Sequence, residues 1–265
     1  MTSWIRQIHR WASNRFCRCW TEDQLRQSAV VIAPHPDDET LGCGGTILRK
    51  RQLGANVTLV YVTDGGFSHH RLMAPRDMAR RRIQEAHAVA SAAGIPARNV
   101  EFLHVSREEL NTFAPAARHK LQSVLAKAAP RQVLIPYSYD AHDEHRLVNA
   151  LARHVLPSLG RPLWIYEYPV WFWNRRPWTS AGTVRGRWST LAESLTAAAT
   201  ALWHFRSAVD IEPVLSSKRN LLSCYGSQMA RPDGCKDWPI LADVAGGEFL
   251  NCFFQRHEFY RPRIF

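Results

Sequence analysis

The sequence has no run of the roughly 18 apolar residues that a membrane-crossing helix needs, so no such span is expected. Its opening stretch, MTSWIRQIHRWASNRFCRCW, carries basic side chains throughout and no continuous apolar core, which argues against a secretory signal. None of the six cysteines (Cys17, Cys19, Cys43, Cys224, Cys235, Cys252) stands in a C-x-x-C pair, so their spacing does not suggest a structural zinc site. A chain of 265 residues, 46% hydrophobic, can build a substantial core without disulfides. A reducing, cytoplasmic setting is the simpler reading, at most peripheral to the inner face of a membrane. Internal repeats and low-complexity linkers are also missing, which favours one domain. So are the sequence motifs of RNA- and DNA-binding modules, and no nucleic-acid partner is expected.

Acidic residues are scarce beside basic ones: 23 against 34, for a net charge of +11. That balance favours anionic partners such as phosphorylated sugars or acidic membrane surfaces. The basic residues are dispersed, however, with short clusters only at Arg80-Arg81-Arg82 and Arg175-Arg176, which is also the pattern of a solvated surface. Between residues 4 and 20, Trp4, Ile5, Ile8, Trp11, Ala12, Phe16 and Trp20 fall at helical spacing, with arginines between them. Two readings fit: a helix lying on an anionic membrane, or a terminal helix packed on the domain. Residues 1–27 are therefore set apart as an amphipathic N-terminal segment, ahead of a domain over 28–265.

From Ser28 onward, strand and helix patterns alternate. AVVIAP, NVTLVYVTDG, NVEFLHV, QVLIPY and LWIYEYPV read as strands. ETLGCGGTILRKRQLG, PRDMARRRIQEAHAVASAAG, APAARHKLQSVLAKAAP and DEHRLVNALARHVLPSL read as the helices between them, with Pro75 opening one and Gly94 closing it. The expected fold is α/β: a Rossmann-like, mostly parallel sheet with helices on both faces, one domain with a C-terminal elaboration. The Trp- and Arg-rich stretch 171–188 has no clear period and reads as an ordered loop or insertion. It fits either a sugar-stacking wall or a packed lid. IEPVLSSKRNLLSCYGSQM reads as one further helix.

Two acidic, histidine-bearing segments each follow a strand: His35-Pro36-Asp37-Asp38-Glu39, and Asp140-Ala141-His142-Asp143-Glu144-His145. A parallel sheet brings both to one edge, where ligands bind in open α/β sheets. Adjacent carboxylates repel, and a divalent cation would offset that repulsion. The donor set suits a mononuclear site with nitrogen and oxygen ligands. Helix capping alone would explain the acids but not the histidine beside them. GCGG, at 42–45, lacks both the dinucleotide fingerprint and a P-loop lysine, so close helix packing is its expected role. His69 and His70, after the second strand, are further candidates for lining a cleft.

Taken together, PHPDDETLGCGG, RIQEA, DAHDEH, KRNLLSCYGSQ and the late GEF resemble, in order, the motifs of the PIG-L/LmbE-like zinc deacetylases, over most of residues 28–255. The resemblance implies zinc held by His35, Asp38 and His145. It implies Asp37 as general base, His142 as oxyanion stabiliser or acid for the leaving amine, Asp140 orienting His142, and Arg82 contacting substrate. It further implies hydrolysis of an N-acetyl group from an N-acetylglucosamine-containing compound, and the basic charge and amphipathic N-terminus point to an anionic or lipid-linked one. Cleavage of another amide on an amino-sugar conjugate, and a non-catalytic glycan- or membrane-binding protein that keeps its metal, are the alternatives. Glu144 stands where the family's second segment usually has aspartate, which bears on how the ligands are oriented.

Overall fold

The computed structural model describes residues 3–181 and 186–264. Its centre is β2 (Ala29–Ala33), every residue of which is buried. β2 pairs in parallel with β3 (Val57–Tyr61) on one side and β5 (Gln132–Pro136) on the other. β4 (Val100–Phe102) extends the sheet beyond β3, and β6 (Trp164–Tyr168) extends it beyond β5, both again parallel. Strands buried on both faces read as continuous apolar runs, and AVVIA, VTLVY and QVLIP do so. The expected α/β architecture is what the chain adopts.

The long helices fall where the sequence periods put them. α3 (Asp38–Gln52) follows β2 directly, α4 (Pro75–Ala92) carries the RIQEA element, and α6 (Pro115–Ala128) and α7 (Asp143–Val155) follow. Two apolar cores result, one on each face of the sheet. Leu41, Ile47, Val89 and Tyr168 belong to the first, and Ile32, Leu121, Val148 and Leu151 to the second. Gly42 and Gly45 serve close packing: a Cβ at Gly42 would fall 2.3 Å from the Tyr168 ring, and one at Gly45 2.5 Å from Ile211.

The sheet is wider than the strand pattern suggests. β1 (Arg18–Cys19), β7 (Ser207–Asp210) and β8 (His257–Ile264) add a second wing, and β8 runs antiparallel to both β6 and β7. β1 lies within the N-terminal segment, and Trp20 Nε1 there donates to Ser207 Oγ at 2.7 Å. α1 (Ser3–Phe16) leads into β1, and the short α2 (Glu22–Arg26) follows it. The Trp-rich stretch holds a short helical turn at Trp171–Trp173 and then, beyond residues 182–185, which lie outside the described residues, enters α8 (Arg187–His204). The final helical pattern is broken in two, with α9 at Leu215–Ser223 and a further turn at Gly226–Met229.

Candidate metal centre and cleft

The C-terminal end of β2 aims at the site. His35 follows the strand by one proline, and the chain turns so sharply that Asp37, at the start of α3, has φ of +124°. That backbone region is costly for a residue with a Cβ and is held by its surroundings. Glu39, fully buried, accepts the Asp37 N–H at 3.0 Å, and the Tyr225 and Thr40 hydroxyls at 2.6 and 2.5 Å. The turn delivers both aspartates into the same corner, with Asp37 and Asp38 buried.

The second loop arrives from β5. His35, Asp38 and His145 each offer one ligand atom, all within 4.8 Å of one another. His35 Nδ1 lies 3.0 Å from Asp38 Oδ2, and His145 Nε2 lies 3.2 Å from the same oxygen. The cluster fits a divalent cation. His145 is fully buried and its ring nitrogens face only the Asp38 and Asp140 carboxylates, without a well-aligned hydrogen bond to either, an arrangement that a cation beside Asp38 would satisfy. Two imidazoles and one carboxylate form a donor set common to zinc and related ions.

Protonation follows the same logic. Burial disfavours a charged His35, but hydrogen bonds to Asp38 and Glu144 outweigh it and raise its pKa to about 9. His145, opposed by burial and drawn up by Asp38 and Asp140, is raised too. Burial works against the Asp38 anion, yet the His145 and His35 imidazoles hold its carboxyl well below the usual range. Asp37 goes the other way: burial raises it to about 7, against the pull of Arg82 and with the push of Asp38. Two adjacent aspartates thus separate into a permanent anion and a group that exchanges its proton near neutrality.

Arg82, on α4 and buried, lies with its Nη2 2.9 Å from Asp37 Oδ2 and also donates to the Pro36 carbonyl. Gly65, at φ +67°, lets the loop after β3 pass over its guanidinium, where a Cβ would come within 2.8 Å. His142 sits with its ring 5.0 Å from that of His145 and 5.5 Å from that of His35. Its Nδ1 is buried without a partner, and burial, then the charges of His145 and His35, lowers its pKa. Asp140 meets His142 through the backbone N–H, at 3.1 Å, and not through the ring. Its other oxygen accepts from Val170 N–H at 2.9 Å and, more weakly, Phe172 N–H at 3.4 Å, while Oδ1 lies 3.8 Å behind His145 Nδ1.

These groups open on a cleft of about 530 Å³, lined by His35, Asp37, Asp38, Arg82 and His142 and walled by Trp171. Trp171 is stacked on Phe249 at 4.7 Å, so part of the Trp-rich stretch does form a wall of the cleft. Arg107 was not singled out by sequence, and Glu144 only as a departure from the family's usual aspartate. Glu144 Oε2 accepts from His35 Nε2 at 2.5 Å, and its Oε1 accepts from Arg107 at 2.8 Å. The departure from aspartate at 144 was the only signal of this contact. His69 stays out of the cleft, its Nε2 bonded to the Pro239 carbonyl and its ring stacked on Trp238. His70 bonds the Phe67 carbonyl.

The fold and site define a class: a single α/β domain whose parallel strands present a largely buried His/Asp/His cluster at the floor of a cleft. Residues 30–156 match the family described as PIG-L: GlcNAc-PI de-N-acetylase. A diacetylchitobiose deacetylase of Thermococcus kodakarensis is 28% identical over 140 residues, 51% of this chain and 51% of that protein. The chain thus aligns with about half the length of that curated relative. Among solved structures, N,N'-diacetylchitobiose deacetylase of Pyrococcus horikoshii superposes with a TM-score of 0.60 at 21% identity, covering 89% of this chain and 84% of that one. A deacetylase of the teicoplanin biosynthetic pathway gives 0.60 at 17%, covering 90% and 98%. The 4-carboxy-2-hydroxymuconate hydratase GalB of Pseudomonas putida gives 0.52 at 16%, covering 90% and 95%. At these identities the shared property is the fold, which hosts more than one chemistry.

Proposed function

We propose that this protein is a zinc-dependent hydrolase that removes the N-acetyl group from an N-acetylglucosamine-type sugar or glycoconjugate. The observation that carries the reading is the His35/Asp38/His145 cluster, its ligand atoms within 4.8 Å, with Asp37 and His142 beside it in one cleft. The family match over 30–156 supports the substrate class. A divalent ion held by these three side chains would acidify water and polarise the amide carbonyl.

The chain's own residues supply the rest. Asp37 takes the proton of the attacking water, and a carboxyl raised to about 7 by burial suits that exchange near neutral pH. Arg82 holds Asp37 in place through the 2.9 Å ion pair, which makes it a positioning residue as well as part of the cleft lining. His142, whose pKa is lowered chiefly by burial, donates a hydrogen bond to the developing oxyanion as a neutral imidazole, or in its protonated form passes a proton to the leaving amine. Asp140 fixes the loop that carries His142 rather than its ring. Trp171 offers an aromatic face to a sugar ring.

The test is acetate release from N-acetylglucosamine and its conjugates by protein purified without chelator. Release with about one equivalent of zinc bound, lost in Asp37→Ala, is expected. Absence of metal-dependent release from any N-acetyl sugar would overturn the reading, and release from a different amide would reassign the acyl group.

A further inference from the structure

α1 and α8 feed two neighbouring parallel strands, β1 and β7, and pack side by side. Small buried residues, Ala12 on α1 and Ala197, Ala198 and Ala201 on α8, are the parts of the two helices turned inward, together with Ile5. Outward, α1 exposes Trp4, Ile8 and Trp11 (65% exposed), spaced i, i+4, i+7, with Phe16 at its end. α8 exposes Trp188 (84%), Leu195 and Trp203 (70%), spaced i, i+7, i+15, with exposed Ala192 and Ala199 filling the same stripe. Seven of the eleven large apolar side chains exposed among the described residues therefore sit on two adjacent helices. Soluble proteins rarely gather such residues in one region without a use.

The charge around them has one dominant sign. α1 contains no Asp or Glu in its sequence and α8 only Glu193; Arg15 and Arg18 are exposed on or just after α1, and so is Arg6, which pairs with Glu248 at 3.3 Å. The Arg15 guanidinium stands 5.9 Å from the Phe16 ring, and that of Arg206 stands 5.3 Å from Trp203. Tryptophan beside arginine, with few aliphatic side chains, matches the chemistry of the bilayer interface, where indole rings sit at headgroup level and guanidinium meets phosphate.

We infer that the paired outer faces of α1 and α8 dock the protein on an anionic lipid surface. Docking by α1 alone, one of the two readings its sequence allows, becomes docking by two adjacent helices, which doubles the number of indole anchors and fixes an orientation. The C-terminal end of α8 adjoins the site: His204 contacts the Tyr137 hydroxyl, and the exposed Tyr139 stacks on His204 at 5.9 Å, one residue before Asp140. The inference stands on surface chemistry and is independent of the deacetylase reading, so failure of either leaves the other in place.

The experiment is co-sedimentation of the full chain with vesicles of phosphatidylcholine alone and of phosphatidylcholine mixed with phosphatidylglycerol. Binding to the mixed vesicles, weakening as salt is raised, is expected. Trp11→Glu with Trp203→Glu should abolish it while thermal unfolding and activity on a soluble substrate stay unchanged. Arg15→Gln and Arg18→Gln, both at exposed side chains, should each lower partitioning about fivefold. No sedimentation, or equal sedimentation of wild type and variants, overturns the inference. So does a concentration-dependent dimer in the absence of vesicles that dissociates in the double Trp variant, because a second copy would then cover the face.

Discussion

Glu144 Oε2 accepts a hydrogen bond from His35 Nε2 at 2.5 Å, while Asp38 lies 3.0 Å from the opposite ring nitrogen. The imidazole is thus fixed at both ends, and its Nδ1 is directed into the cluster. Arg107, from the short helix Arg107–Asn111, ties down the second oxygen of Glu144. A carboxylate behind a ligating histidine sets its tautomer and strengthens it as a ligand. Glu144→Ala should lower zinc affinity about 10- to 100-fold, read by competition with a chromogenic chelator. Arg107→Ala should have a smaller effect, since that pair is half exposed and water can replace it.

Asp37 and Asp38 are neighbours with opposite expected phenotypes. Asp37→Asn should retain one equivalent of metal and lose about 10²- to 10⁴-fold in acetate release, the usual worth of a general base. Asp38→Asn should lose the metal itself. Elemental analysis beside the rate measurement separates them; metal loss in Asp37→Asn would assign that side chain to the cation instead.

Lys218 Nζ is fully buried and donates to the Leu41 and Phe253 carbonyls and to Glu258 Oε1, at 2.8 to 2.9 Å. Glu258 in turn accepts from Gly45 and Thr46 N–H, both at 2.7 Å. This knot joins α3, which begins at the metal cluster, to α9 and β8. Glu258→Ala would leave a buried ammonium without its anion, and should cost about 3–5 kcal/mol in urea unfolding. An unchanged midpoint would show that the ammonium finds water.

Lys50 is a second buried lysine, its Nζ donating to the carbonyls of Gln24, Leu25 and Gln27. Burial lowers its pKa from 10.5 to about 7. Between those two values the unfolded chain holds a proton that the folded chain has released, so stability from this group rises with pH. Below pH 7 both states are protonated and the full cost of burying the charge is present. Wild type should therefore gain stability relative to Lys50→Met as pH is raised from 7 towards 10. A difference independent of pH would mean that the three carbonyls hold the ammonium charged throughout.

What could be read from the sequence was local. Val30-Val31-Ile32 announces a buried strand, and the acids after it announce a ligand, because both signals lie within a few residues of each other. α8 was not legible: its Ala, Ser and Thr content gives little amphipathic contrast, and Gly186 before it is a weak start signal. β7 has four residues, too few for an alternation to show. β8 finds its place through antiparallel pairing with two strands distant in sequence, which no local pattern encodes. The Arg107–Glu144–His35 chain spans three elements, and only the tertiary fold reveals it.

Asp140 grips the cleft wall by its main chain, through the N–H groups of Val170 and Phe172 on either side of Trp171. The position of the wall is therefore set independently of the side chain it displays. Residue 171 is a socket held by its neighbours' main chain, although the ring now in it stacks on Phe249 and lies 6.1 Å from that of His142. A substitution there would change the face that the cleft presents to its ligand before it changed the course of the chain.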